Sequence, residues 1–336
     1  MSAKIKDVAE WAGVSVATVS RVLGGGAVSI ELRERVELAV AQLGYRPNLS
    51  ARRLRSQHSK TVGLIVSDIR NPFFTAVSRA VEDVAYRAGM RVILCNADED
   101  PDKEAMYLRL MQEERVSGVI FSPTGMTVRC FRADLYEFPV VMIDRDGPTG
   151  LTDAVVLDNR QAGKMLVEHL IGHGYRKIGG LFGKISTTGI ERHAGYEAAL
   201  AQHGLPSAVR FVAPSTEAAA AAVRAWLAEP DWPDALIVSN GLLLLGAVHA
   251  LTEAGLSIPD DMALAGFDND VWTGLVGHGL TVIEQPVYDI GVVAMEMLLA
   301  RLENPSMAKR KVVLNGTLLP RASTNCRAGL AQTRAT

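Results

Sequence analysis

Arg21, with Val16 and Ala17 about one turn before it, forms the set of side chains best suited to reading another molecule. A guanidinium can donate two parallel hydrogen bonds to one guanine edge, and a small apolar group can meet a thymine methyl. For that chemistry the three must share the outer face of a short helix. Residues 4–23, KIKDVAEWAGVSVATVSRVL, supply one. Ile5, Val8 and Ala9, then Val16, Val19 and Val22, recur at three- and four-residue intervals, so two short amphipathic helices are expected. Gly13 between them suits the positive φ that ends a helix, and Ser15 suits the N-cap of the next. Two helices joined by so tight a turn make a helix-turn-helix, whose second helix projects toward a major groove. A helical hairpin packed on a larger domain would share this periodicity, and Arg21 could instead clamp a phosphate.

Charge favours the nucleic-acid reading. Residues 1–60 hold ten Lys or Arg against five acids, a formal +5, while the whole 336-residue chain is −2, leaving −7 for the rest. A basic module on an acidic body can release counterions from phosphate. Covalent chemistry finds no comparable support. The three cysteines, Cys95, Cys130 and Cys326, are scattered without a CxxC pair, which fits a reducing compartment and argues against a zinc site. The seven histidines are dispersed, and no P-loop, HExxH, GxSxG or GxGxxG is present. Neither metal nor cofactor is implied. With no apolar run of membrane-spanning length and no signal-like N-terminus, a cytoplasmic protein without membrane contact is expected.

The remaining chain divides readily. Gly24-Gly25-Gly26 reads as a loop and residues 30–43 as a third amphipathic helix, closing at Gly44. Tyr45-Arg46-Pro47-Asn48 breaks the chain, 49–55 suit one or two helical turns, and 56–60 read as a linker. From Thr61 the pattern becomes β/α alternation, with apolar runs at 62–66, 91–95, 118–121 and 140–143 and helices near 74–88 and 102–114. A second set of strands is expected at 154–157, 178–182, 235–238 and 262–266, with helices near 160–171, 190–203, 215–228 and 242–254. Apolar strands separated by helices indicate two doubly wound parallel sheets with ligand loops at the strand C-termini.

IKDVAEWAGVSVATVSRVL, YRPNLSARRLR, VGLIVSDIRNPFF, GFDND and TVIEQP occur in an order that resembles the LacI/GalR (lactose/galactose repressor) family over about residues 4–323. The resemblance implies a small all-α helix-turn-helix headpiece (1–46), a hinge helix and linker (47–60), and a periplasmic-binding-protein-like α/β core (61–336) of two doubly wound subdomains. The N-lobe would comprise about 61–157 and 286–315, the C-lobe about 158–285 and 316–325. It implies a sequence-specific repressor of sugar-utilisation genes rather than an enzyme, homodimeric on a near-palindromic double-stranded operator and controlled by a small sugar. Val16, Ala17 and Arg21 would face bases, and Thr18 and Ser20 would face phosphates. Asn48 would be a DNA-contact position; in the hinge, Leu54 would wedge into the minor groove with Leu49 as its rival, Ala51 would allow paired hinge helices to approach, and Arg52 would take phosphate. The tail after 325 has one leucine and no heptad, so it implies no tetramer.

By the same resemblance, to binders of the ribose type, the effector pocket falls on Asn71, Phe73, Phe74, Asp144, Arg145, Arg192, Asn240, Asp268 and Gln285. Their types fit independently: aromatic rings pack on sugar C–H faces, carboxylates accept from hydroxyls, and arginines and amides donate to oxygens. Each has a plainer reading, with the phenylalanines as core, Asn71 as a turn residue and Asp268 as a cap. Two departures stand out. Gly241 follows Asn240 where many members have aspartate, and Pro214–Glu217 offers no aromatic, which disfavours a flat purine and also counts against ribose itself. Arg145 with Arg192 keeps a sugar acid or sugar phosphate open, and a corepressor mode is equally compatible.

Overall fold

The computed structural model describes residues 3–24, 26–45, 59–147, 151–184 and 186–325. The hinge residues Asn48, Ala51, Arg52 and Leu54 and the tail beyond 325 lie outside the described residues. The chain separates into two compact units, Met1–Ser59 and Lys60–Thr336.

The first unit holds α1 (Ile5–Ala12), α2 (Val16–Leu23) and α3 (Ile30–Gln42). Gly13 ends α1 at φ 61°, and Val14 N–H donates back to Ala9 O at 3.0 Å. Ser15 caps α2 by accepting from Thr18 N–H at 3.1 Å. Val8, Ala9, Ala12, Val19, Val22, Val36 and Ala39 form one small core shared by all three helices. Arg35, counted among the basic residues by sequence, is a structural clamp: its Nη2 donates to Ala12 O at 2.6 Å, tying α3 to the exposed end of α1.

In the second unit, the first sheet is built from β1 (Thr61–Val66), β2 (Arg91–Asn96), β3 (Gly118–Phe121), β4 (Val140–Ile143), β5 (Asp153–Leu157) and β11 (Lys311–Leu314). Its order is β11-β5-β4-β3-β1-β2, parallel throughout. The second sheet takes β6 (Ile178–Gly183), β7 (Ala208–Val212), β8 (Ala235–Val238), β9 (Ala263–Phe267), β10 (Thr281–Glu284) and β12 (Thr317–Leu319), in the order β12-β10-β9-β8-β6-β7. β12 runs antiparallel to β10 at its edge; the other pairings are parallel.

Three segments link the sheets: Asp158 after β5, Gln285-Pro286 after β10, and Asn315-Gly316 between β11 and β12. The strand at 153–157 therefore joins the first sheet, not the second set into which alternation alone placed it. Alternation cannot see this, because a crossover needs only one residue, Asp158, between β5 and the next helix.

Helices α4 (Pro72–Arg87) and α11 (Val287–Glu303) pack together on the first sheet. The others flanking the sheets are α5 (Pro101–Glu113), the short α6 (Thr127–Cys130), α7 (Asn159–Gly172), α8 (Thr187–Gln202), α9 (Thr216–Leu227) and α10 (Gly241–Glu253). Where α7 meets α8, a Cβ on Gly163 would run into the Arg192 carbonyl, and one on Gly195 into the Arg160 carbonyl. Glycine at both positions lets the helices approach backbone to backbone, which brings Arg192 against the start of α7.

Candidate functional site

The second helix of the headpiece carries the first candidate surface. Ala17 and Arg21 are exposed four residues apart on α2, and so lie on one face. The methylene stem of Arg21 lies over Gly26, where an added Cβ would meet its Cγ at 2.6 Å. Among the described residues, none accepts a hydrogen bond from its guanidinium. Val16 is half-buried and packs on the headpiece core. Thr18 and Ser20 are half-buried, and the Thr18 hydroxyl lies 2.9 Å from Ser15 Oγ.

The second candidate is a cleft in the larger unit, with about 540 Å³ of space including its open mouth. All nine pocket residues named from the sequence line it. Eight of them reach it at or just past a strand C-terminus or at the start of the next helix, and Arg192 reaches it from the second turn of α8.

From the first lobe, Asn71 caps α4, its Oδ1 accepting from Phe73 N–H at 3.0 Å, which leaves its amide nitrogen free to donate. Phe73 and Phe74 meet edge to face at 5.0 Å between centroids. Both belong to the hydrophobic core and line the cleft as well. Asp144 follows β4 at φ 64°, a left-handed backbone uncommon for a non-glycine residue. Arg145 is 6% exposed and forms a two-pronged pair with Glu99, Nη1–Oε2 2.8 Å and Nη2–Oε1 2.5 Å, while Nη1 also donates to Pro123 O. Its Nε lies 3.4 Å from Asp144 Oδ2 but makes no hydrogen bond.

From the second lobe, Arg192 is 3% exposed and stacks over the Phe267 ring at 4.0 Å. It donates from Nε to Asn159 Oδ1 at 2.8 Å and from Nη1 to Ser239 O. Asn240 caps α10 through Oδ1, which accepts from Leu243 N–H at 2.8 Å. Asp268 follows β9 at φ 76°, the counterpart of Asp144 in the other sheet. Its Oδ2 accepts from Gly241 N–H at 2.8 Å, and its Oδ1 accepts from Gln285 Nε2 at 2.6 Å. The absent aspartate at 241 is thereby explained. Asp268 already brings a carboxylate to the N-terminus of α10, and a Cβ at 241 would sit 3.0 Å from Asp270 Oδ2. Gln285, on a segment linking the lobes, also faces Arg192 Nη2 at 3.4 Å.

Burial raises the Asp144 carboxyl above its usual range, against the pull of Arg145 and Arg192. Burial likewise lowers Arg192, with Asp268 and Asp144 opposing. For Arg145, burial is outweighed by the Glu99 hydrogen bonds and by Asp144, and its pKa rises. Sequence reasoning missed Asp68, Glu99, Ser186, Thr188, Pro214 and Leu242, which also line the cleft. Asp68 and Glu99 each lie two or three residues past a strand, so the strand-terminus rule applied to every loop would have found them. Pro214 and Leu242 stand on the second-lobe wall; no aromatic does so opposite the phenylalanines.

Such a cleft offers fixed donors and acceptors to an oxygen-rich small molecule, but no nucleophile with a partnered base. Known proteins give the same picture. Residues 4–48 match the family model described as bacterial regulatory proteins, lacI family, and residues 167–324 match a periplasmic binding protein-like domain. The chain is 35% identical to the HTH-type transcriptional regulator KdgR of Bacillus subtilis, across 95% of this chain and 97% of that protein. It superposes with a TM-score of 0.88 on the lac repressor dimer bound to operator and the anti-inducer ONPF, at 26% identity, covering 97% of this chain and 100% of that one. A LacI family regulator from Enterococcus faecium, solved with bound ribose, gives a TM-score of 0.72 at 26% identity over 79% of this chain and 98% of that one. Similar along nearly its whole length to such regulators, the chain belongs to the lacI family of bacterial regulatory proteins and is a transcriptional regulator, not an enzyme.

Proposed function

We propose that the protein is a repressor of sugar-utilisation genes whose grip on its operator is controlled by a monosaccharide-sized sugar held in the cleft. The observation that carries this reading is the convergence of Asn71, Asp144 and Arg145 from one lobe with Arg192, Asn240 and Asp268 from the other, with Gln285 on the link between them. A ligand bonded to both sets favours the closed arrangement of the lobes, and only a difference in affinity between two states can shift their balance. The neighbour with bound ribose supports a small sugar as ligand. The missing second aromatic wall speaks against a flat base.

On the DNA side, Ala17 and Arg21 would read bases, with Val16 beside them and Thr18 and Ser20 on phosphates. Asn48, Ala51, Arg52 and Leu54 would form the hinge contact. Two copies bind a near-palindromic operator as a homodimer, since one headpiece specifies too short a site. Helices α4 and α5 are the proposed dimer faces, and the tail adds no tetramer contact.

A thermal-shift panel of pentoses and hexoses, followed by operator titration with any stabilising sugar, tests the proposal. A sugar that raises the melting temperature and weakens operator binding supports it. A panel without a stabilising sugar, or one whose hit leaves operator binding unchanged, overturns it.

A further inference from the structure

Glu99 is one of the cleft residues that the sequence reading did not name. The backbone is unusual there: Asp98 and Glu99 take φ of 53° and 56° in succession, a left-handed pair without glycine. Glu99 N–H is held by Ser67 O at 2.9 Å, so the chain is pinned in that conformation at the end of β2. The result is a carboxylate carried into the cleft and locked, two-pronged, on Arg145.

The consequence concerns charge. An anionic ligand needs a guanidinium whose donors are not already spent. Arg145 is locked on Glu99 beside Asp144, and Arg192 spends Nε and Nη1 on Asn159 and Ser239 O while its Nη2 faces Gln285 Oε1. Asp68 is already paired with Arg70. That leaves three carboxylates, Glu99, Asp144 and Asp268, against two guanidiniums. With Asp144 protonated the site would be neutral. A neutral hydroxyl suits what remains, since the orphan Arg145 Nε–H needs an acceptor and the carboxylates need donors.

We infer that Glu99 acts as a charge selector, making the cleft specific for uncharged polyhydroxylated ligands over sugar acids and sugar phosphates of the same skeleton. This rests on the cleft being a sugar site.

The experiment is calorimetric titration of the full chain with ring-matched pairs, glucose and glucuronate, galactose and galacturonate, and ribose and ribose 5-phosphate. For the pair that binds, the neutral member should be at least tenfold tighter. Glu99→Gln, which keeps the shape but removes the charge, should shift that ratio at least tenfold toward the acid, and Glu99→Asp should keep the wild-type preference. An acid that binds the wild type as tightly as its neutral partner overturns the inference, as does a ratio unmoved by Glu99→Gln. The wild-type ratio decides even if that variant fails to fold. Binding of no pair at millimolar concentration removes the sugar reading together with the inference.

Discussion

The headpiece and the cleft hold their arginines in opposite ways. Arg21 stands exposed on α2 with no hydrogen-bond acceptor among the described residues, whereas Arg145 and Arg192 are less than a tenth exposed and bonded on several sides. A group that reads DNA must keep its donors open until the bases arrive. A group that shapes a pocket gains by being fixed beforehand, because less order is lost when the ligand binds. Substitutions should therefore separate: at the reading surface they change affinity alone, and in the cleft they change affinity and stability together.

Arg192→Ala should have the largest effect. It leaves the buried acceptors Ser239 O and Asn159 Oδ1 without their donor, a loss of about 1–3 kcal/mol of core stability for each acceptor left unsatisfied. Urea unfolding measures it. A change below 1 kcal/mol (roughly the worth of an exposed pair) would erase the contrast.

Arg21→Ala should leave unfolding unaltered and weaken operator binding by about 1–3 kcal/mol, with relaxed preference at one base position. Equal losses on operator and random duplexes would make Arg21 a phosphate contact. Since residues 1–60, headpiece and hinge together, carry a formal +5, the wild-type affinity should also fall steeply with salt.

Ser15→Ala sharpens the comparison from within the headpiece. It removes the N-cap of α2 and should cost about 1 kcal/mol of headpiece stability, weakening DNA binding only as far as α2 frays. Circular dichroism of the headpiece transition would register it; an unshifted midpoint would mean that packing alone holds the helix.

The smallest effect expected is with pH. Burial, with His173 beside it, holds His169 down to about 4, below its ordinary 6.5. A depressed histidine favours the fold while neutral, so its contribution is complete above pH 6.5 and is lost as pH falls from 6.5 toward 4. Because His169 is only half-buried, the loss should be about 1 kcal/mol or less. No histidine lies among the described headpiece residues, so the core transition should weaken with acid where the headpiece transition is spared this term. Replacing His169 by Gln should flatten the difference, and an unchanged pH dependence would assign it elsewhere.

How far the sequence could be read follows the same physics. Cap and turn residues declare themselves locally, so Gly13 and Ser15 were legible without any partner in view. The nine cleft residues were named by the family resemblance, with which the placing of ligand loops at strand C-termini agrees. Asp268 accepts from Gly241 N–H at the start of α10, which Asn240 caps, and lines the cleft at once. What stayed hidden depends on long-range pairing. β7, β11 and β12 are edge strands, with Arg210 in one and exposed Lys311 and Thr317 opening the others, so their hydrophobic pattern is weak. β10, though buried, lies in the stretch read only as a family motif. The role of Glu99 is invisible locally, since its partner lies 46 residues away.

The central claim is that occupancy of the cleft sets the affinity of the headpiece. Operator binding followed by fluorescence anisotropy, with and without saturating sugar, in the wild type and in Asp268→Ala, tests it most directly. Asp268 holds both Gly241 N–H and Gln285 at the lobe link, so its loss should uncouple the ligand without touching α2. The account predicts at least a tenfold weakening by sugar in the wild type and none in the variant, with equal operator affinity in the sugar-free proteins. An operator affinity that stays the same when the wild-type cleft is saturated would contradict it.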